Sequence, residues 1–346
     1  MAKKDIEILN YDENKREIVS DFDHASFYFD YQENEKQEVG FEISRTKNNN
    51  DIYDLITYEN TVVYDGQKYI IKNLSESAEG DNTSKQVTAV HISFTIQDKR
   101  QYDTLTGTLS INQCLAHVFA SAQEFTYEVN NINGAFTRVE QENFGNSDCK
   151  SLIEEVIADY DAIVLRDNKH FTFMPRQYVG EKVEEQIRYK YNTDSVSFDI
   201  DTFELKTQIK GMGKRKDPVG SQEQGDYYFT PITYTSPESA KWGIRIQDPI
   251  EDDRYTVAAN MRQRLINELK DKPDISGSVA LKKFIGIKLY DRVRFVYEPL
   301  NINEFIRVVG IRTRPFIDDI PEITLENNQS TINKYLVQLS KKRSGV

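Results

Sequence analysis

Four places in the sequence bring together side chains that could react or bind. The stretch KTQIKGMGKRKDP, Lys206 to Pro218, has two glycines, a lysine directly after the second and apolar residues leading in, the outline of a phosphate-binding loop. Cys114 and His117 stand three apart, a spacing used by metal ligands. The adjacent carboxylates Glu154-Glu155 and Asp252-Asp253 are the residue type that hydrolyses glycosidic bonds in pairs.

Each resemblance weakens when its surroundings are read. A phosphate loop places four residues between its glycines, follows the lysine with Ser or Thr, and opens a helix whose N–H groups wrap the phosphates. Here Met212 alone separates Gly211 from Gly213, Arg215 follows Lys214, and no helical period begins. The expectation is a basic turn at a strand end. Cys114 lies beside an apolar stripe and lacks a second ligand pair, so it and Cys149 are expected as buried free thiols. His91 is expected on the polar side of a strand, with His24 and His170 in strand or hairpin contexts, and no HExxH or G-x-S-x-G occurs. With 56 acidic residues, adjacent carboxylates are expected on solvated faces. No catalytic, cofactor-binding or metal-binding residue is therefore assigned, and no cofactor.

The elements that position these residues are mainly strands. TVVYDGQKYIIKNL sets two apolar runs around Asp65-Gly66, a pair suited to a type I′ hairpin turn. Val90, Ile92, Phe94 and Ile96 alternate with polar residues and predict a half-buried strand. The period then lengthens. Ser110 and Gln113 form a capping box before Ile111, Leu115, Val118 and Phe119, a helix ending near Gln123. Ser147 or Asp148 opens a second helix through Leu152, Ile153, Val156, Ile157 and Tyr160, followed by a hairpin turning at Asp167-Asn168.

Alternation returns at Val196, Phe198 and Ile200 and slips by one residue to Phe203, Leu205, Thr207 and Ile209. A bulge or tight turn is expected at Asp201-Thr202. Thr256 is expected to cap a helix carrying Val257, Met261, Leu265 and Leu269, closed by Pro273. Strands resume at Val279 and end at Ile323–Leu325, and a last helix is expected over Ser330 to Lys342.

Composition sets the outer limits. A charge of −12 and a pI near 5.0 disfavour a surface-wide grip on nucleic acid. The N-terminal MAKKDIEILNYDENK lacks an apolar core region and no run of ~18 apolar residues occurs, so no membrane anchor is expected and the chain should be made as a soluble cytoplasmic product. The aromatic stretches ASFYFDYQ and GDYYFTPITY suit either stacked ligands or a subunit interface, and the interface is the preferred reading.

Taken in order, YDGQKYIIKNL, QVTAVHISFTIQD, TLSINQCLAHVFASAQEFTYEV, IRYKYNTDSVSFDIDTFELKTQIKGMGKRK, WGIRIQDPIEDDRYT, LYDRVRFVYEP and PEITLENN resemble the hub region of phage tail-associated proteins, the prophage endopeptidase tail family. The resemblance implies a β-rich α+β baseplate-hub fold with two antiparallel β-barrels. Residues 1–105 would be the first barrel and 106–195 an α/β insert. The second barrel, 196–328, would be interrupted by a helical insertion at about 251–278, leaving 329–346 as a C-terminal helix and tail.

It also implies a homotrimer at the virion tail tip, docked on a distal tail protein hexamer. Tape measure and receptor-binding proteins would be neighbours, and DNA would pass through a closable channel without specific binding. Many family members carry an enzymatic C-terminal extension, and its absence from this sequence gives the expectation of a non-enzyme, whether a short hub or a piece of a longer protein. The alternative reading is a cell-wall-degrading peptidase or glycosidase acting during entry; a carbohydrate-binding receptor protein is a third.

Overall fold

The computed structural model describes residues 5–218, 225–271, 274–282, 286–298 and 302–326. The first strands are β1 (Ile6–Leu9), β2 (Arg16–Ile18), β3 (Asp23–Gln32) and β4 (Lys36–Ser44), followed by helix α1 (Asn50–Leu55) and then β5 (Thr61–Tyr64), β6 (Gln67–Glu79) and β7 (Asn82–His91). Next come β8 (Arg100–Leu109), α2 (Ile111–Ala120), β9 (Thr126–Val129), β10 (Val139–Asp148), α3 (Cys149–Asp159), β11 (Ala162–Asp167) and β12 (His170–Pro175). The chain continues through β13 (Lys182–Arg188), β14 (Thr193–Asp201), β15 (Gln208–Met212), β16 (Ile232–Thr235), α4 (Ser239–Trp242), β17 (Ile250–Glu251) and α5 (Ala258–Glu268). It ends with β18 (Asp274–Leu281), β19 (Arg292–Tyr297), β20 (Ile302–Thr313) and β21 (Glu322–Leu325).

Thirteen strands form one large mixed sheet, running β14-β18-β21-β20-β3-β4-β7-β6-β5-β1-β2, with β19 and β13 branching from β20. Pairing of β20 with β3 joins strands from the two ends of the sequence. Gly310 lies at that pairing, where a Cβ would press on Thr324 Cβ at 2.9 Å and push the end of the Gln32 side chain aside. Among the described residues the sheet is open, with β2 and β14 as its end strands, and no closed barrel forms.

Local chemistry explains several elements directly. Asp65 and Gly66 both adopt positive φ, at 54° and 75°, and Tyr64 pairs with Gln67 across a two-residue turn. Ser110 Oγ accepts from Gln113 N while the Gln113 side chain accepts from Ser110 N, and Asp148 caps α3 through Ser151 N. The helices then bury Ile111, Cys114, Leu115, Val118 and Phe119 of α2 against Leu152, Ile153, Val156 and Ile157 of α3. The β11–β12 turn falls one residue later than the sequence predicts, since Asp167 pairs with His170 and Asn168, at φ 50°, begins the loop.

Two expectations are corrected. The strand through Val90 to Ile96 stops at His91, and Ile92–Asp98 is a 3-10 helix. His91 accepts from Ser93 N at its start, and Thr95 Oγ1 donates to Ile92 O, so local side-chain bonds replace the ladder. The tight turn expected at Asp201-Thr202 forms, with Leu205 N donating to Thr202 O, and it coincides with a change of sheet: β14 ends at Asp201 and β15 begins a separate three-stranded sheet. Thr256 does not cap α5; its N–H and hydroxyl both bond Glu142, Val257 takes the cap position and is exposed, while Met261, Leu265 and Leu269 are buried. Pro273 and the helix expected over Ser330 to Lys342 lie outside the described residues.

The apolar cores fall into segments of sequence. One is built from Ile6 to Ala89 together with Phe316, another from Ile96 to Phe173 around α2 and α3. A third collects Ile187 and residues 279 to 325, and a fourth Ile209 to Leu269 around α5. At the junction Tyr31, Ile163, Val179 and Tyr290 pack together, with the Tyr31 and Tyr290 hydroxyls 2.6 Å apart.

Candidate functional site

The motif that most resembles a phosphate loop has a packing role instead. Gly211 lies one residue before the end of β15, beneath α5, where a Cβ would meet Met261 Sδ and the Leu265 methyls at 2.8–2.9 Å. At Gly213 a Cβ would lie 2.4 Å from Tyr255 O and 2.5 Å from the Phe229 ring. Among the described residues no helix follows directly, and Arg215 lies over the Tyr227 ring at 3.9 Å. These glycines therefore admit the helix and the ring. Gly213→Ala is expected to lower stability by about 1–3 kcal/mol through overpacking against backbone, measured by denaturant midpoint. Gly211→Ala should cost less, because the atoms it meets are the ends of flexible side chains.

The Cys114–His117 pair also separates. Cys114 is fully buried near the Tyr160 hydroxyl, whereas His117 turns out of the core and its Nε2 bonds Asp103 O at 2.9 Å. Burial pushes the Cys114 thiol up to about 11 and raises Cys149. Neither thiol is expected to react with a thiol reagent at pH 8 until the protein is unfolded, as absorbance of the released chromophore will show. Among the described residues no group of three or more His, Cys, Asp or Glu is arranged to hold a metal ion.

His91 is buried, contrary to its expected place on a polar face. Gln67 donates through Nε2 to Asp167 Oδ1, so its Oε1 faces His91 Nε2 at 3.0 Å and requires the proton on that nitrogen. His91 Nδ1 then accepts from Ser93. Asn168 completes the arrangement, its N–H on Gln67 Oε1 and its Oδ1 on Lys68 N, so two hairpin tips are fastened around one neutral imidazole. His24 lies against Phe22 and Phe316, and His170 Nδ1 bonds Thr126 Oγ1.

The paired carboxylates, 97 residues apart in sequence, line one cleft of about 1310 Å³ between the α3–β10 face and α5. On α3 the one-turn spacing of Glu155 and Asp159 puts both on the cleft side. Arg254 bonds its neighbour Asp252 at 2.8 Å and reaches across the gap to Glu155 at 3.4 Å. Glu142, on β10, accepts from Thr256 N, from Thr256 Oγ1 at 2.6 Å and from Asn260 Nδ2 at 3.2 Å. Asn143 Nδ2 donates to Arg254 O, and Gln141 Nε2 donates to Asp159 Oδ2 at 2.7 Å.

Burial raises the Glu155 and Asp159 carboxyls. Burial works the same way on Asp252, but hydrogen bonds from Arg254 outweigh it and hold that carboxyl below the ordinary range. Opposite shifts on neighbouring carboxylates are a pattern found in acid–base catalysis. Here one guanidinium occupies both Glu155 and Asp252, and among the described residues no histidine or cysteine lines the cleft. The arrangement joins two parts of the chain. The sequence reading left these residues on solvated faces because their partners are about a hundred residues away; the only local signal was Arg254 directly after Asp252-Asp253.

The first aromatic stretch is largely internal, while in the second Tyr228 is exposed and Phe229 only partly buried. Phe27 and Tyr31 are buried, Tyr28 covers Gly40, and Phe229 joins the core around α5. The described elements are mostly β-strands, with charged and polar contacts joining α5 and its neighbours to β10 and α3.

Comparison with known proteins agrees. Family models described as prophage endopeptidase tail N-terminal domain, prophage endopeptidase tail domain and prophage endopeptidase tail match residues 6–91, 98–173 and 181–336. The chain is 44% identical to prophage tail protein gp18 from Listeria monocytogenes EGD-e, covering 97% of this chain and 98% of that one with a TM-score of 0.65. Two more distant structures share the fold: the 43 kDa tail protein of prophage MuSo2 from Shewanella oneidensis (12% identity, 93% and 98% covered, TM-score 0.58) and a tail protein from Neisseria meningitidis MC58 (11%, 95% and 98%, 0.56). No curated protein matches the sequence. The chain belongs to the prophage endopeptidase tail family.

Proposed function

We propose that this chain is the structural hub of a phage tail tip, a homotrimer that docks on the hexameric distal tail protein and surrounds a closable DNA exit channel. The observation that carries the reading is the 44% identity to a prophage tail protein along almost the whole of both chains. In this reading residues 1–105 and 196–328 supply two β-domains per subunit. Three copies then present six similar walls to a sixfold partner, and residues 106–195 form the α/β insert. The open ends of the large sheet at β2 and β14 leave room for barrel closure to be completed by assembly.

A net charge of −12 suits a DNA conduit, because carboxylates around the axis repel phosphate and keep the passage free of bound strands. Antibody raised against the chain is expected to decorate the distal end of phage tails in electron micrographs. Decoration of the head or of the length of the tail tube would sink the reading. Since Arg254 occupies Glu155 and Asp252, purified chain incubated with host cell wall is expected to release no peptide or sugar fragments.

A further inference from the structure

In a chain of net charge −12, one face of β13, β19 and β20 is cationic. Ile187, Val293, Phe295 and Ile306 of these strands point into the core shared with residues 279 to 325, so by strand alternation Arg188, Arg294 and Phe305 stand on the other face, where Lys182 and Arg292 are paired in register. Lys182, Arg188, Arg294 and Phe305 are exposed. Arg188 has a carboxylate partner, Glu298 at 2.7 Å, but among the described residues Lys182, Arg292 and Arg294 have none. Lys182 lies over the Phe305 ring at 5.0 Å, while Arg292 donates to Gln177 O and Arg294 to Asn303 Oδ1, both at 2.9 Å. Glu184 and Glu185, in the bulge of β13, are the described exposed carboxylates of these strands and leave the cations in excess.

A surface of the opposite sign projects from the N-terminal strands. β5 covers β6 only to Ile70 and β4 covers β7 only from Ser84, yet β6 and β7 stay paired out to Glu79 and Asn82, and residues 75–82 are exposed at every position. Glu76, Glu79 and Asp81 lie in this arm, and no Lys or Arg occurs between Lys72 and Lys85. A two-stranded hairpin with no core beneath it is marginal by itself, so the arm gains from being covered. We infer that the acidic arm of one copy of this chain lies on the cationic face of the next, with Glu79 and Asp81 against Lys182 and Arg294 and the arm over Phe305. Charge selects this occupant: over residues 1–105 Asp and Glu outnumber Lys and Arg by 21 to 12, and the arm is the part of that region that extends past its neighbouring strands. Arm and face are different surfaces, so the contact runs head to tail and closes into a ring where the rotation between copies allows. It presumes that copies of the chain assemble, as proposed above, but not that they number three.

Asp81 and Arg294 are exposed, so cysteines there leave the fold in place, and native Cys114 and Cys149 are buried. Full-length Asp81→Cys and Arg294→Cys chains are mixed and treated with a short bismaleimide, alone and with the distal tail protein of the same phage. Peptide mass spectrometry is expected to find position 81 of one variant joined to position 294 of the other, at a yield about tenfold lower in 1 M salt, where screening acts over about 3 Å. Adding Glu79→Lys to the Asp81→Cys chain should abolish the link, and adding Lys182→Glu to the Arg294→Cys chain should restore it. The link found in a complex of any size upholds the contact, and a size other than three copies on one hexamer then counts against the trimer alone. Three copies on one hexamer without the link, no link in either mixture, or a link indifferent to salt and to charge reversal overturns the contact. Retention of the native chain on DNA, abolished by Arg294→Glu, would assign the face to nucleic acid and overturn it as well.

Discussion

Arg307→Met is expected to destabilise the protein by about 3–5 kcal/mol, the largest effect of any single charge removal here. Arg307 is 2% exposed and its guanidinium reaches Glu33 at 3.2 Å and Glu326 at 2.8 Å. Arg176 also bonds Glu33 and joins Asp161 at 2.7 Å. The network ties the β3–β4 turn, the end of the α/β region and the last strands, the three parts meeting at the junction core. Removing Arg307 leaves the Glu33 carboxylate buried, with only half-exposed Arg176 to balance it. Among the described residues Arg307 Nε and Nη1 have no hydrogen-bond partner, so the arginine itself is imperfectly compensated. The double variant Arg307→Met, Glu33→Gln is therefore expected to recover much of the loss, because the uncompensated charge is gone. Chemical denaturation of the three proteins measures this, and equal losses in the single and double variants would refute it.

The second large effect is a dependence on pH. Burial, reinforced by the nearby Arg166 charge, lowers His91 from 6.5 to about 3. Above pH 6.5 both folded and unfolded chains carry this imidazole neutral, and its arrangement contributes fully. As pH falls below 6.5 the unfolded chain binds a proton that the folded chain refuses. Stability is then lost at up to ~1.4 kcal/mol per unit until the folded pKa near 3 is passed. Carboxylates titrate across part of this window, so the comparison that isolates His91 is the native protein against His91→Gln. The difference between their unfolding free energies is expected to shrink steadily from pH 6.5 to pH 4. A constant difference would show that His91 is protonated in the fold as readily as outside it.

How far the sequence could be read depended on the distance over which each feature is determined. The Ser110–Gln113 capping box and the Asp65-Gly66 turn involve residues within four positions of each other, and both form as their chemistry dictates. The stripes of α2 and α3 were equally plain, because a helix repeats its face every turn. Val90 to Ile96 misled because alternation is a statement about a strand's two faces, whereas His91 is engaged by Gln67 of another strand. The apparent slip at Asp201 marked a real boundary, but its cause, a departure from one sheet to another, is tertiary. The cleft was the least legible feature. Glu142, Glu155 and Arg254 carry no spacing signal, and only the fold brings them together. The joining of β20 to β3, across nearly three hundred residues, was hidden for the same reason.

The reading of this chain as a tail hub rests on its assembly, and the mass of the assembled complex tests that most directly. Native mass spectrometry of the chain mixed with the distal tail protein of the same phage is expected to show three copies bound to one hexamer. A stable complex of any other stoichiometry, or two proteins that pass through at their separate masses at every concentration, would contradict the account.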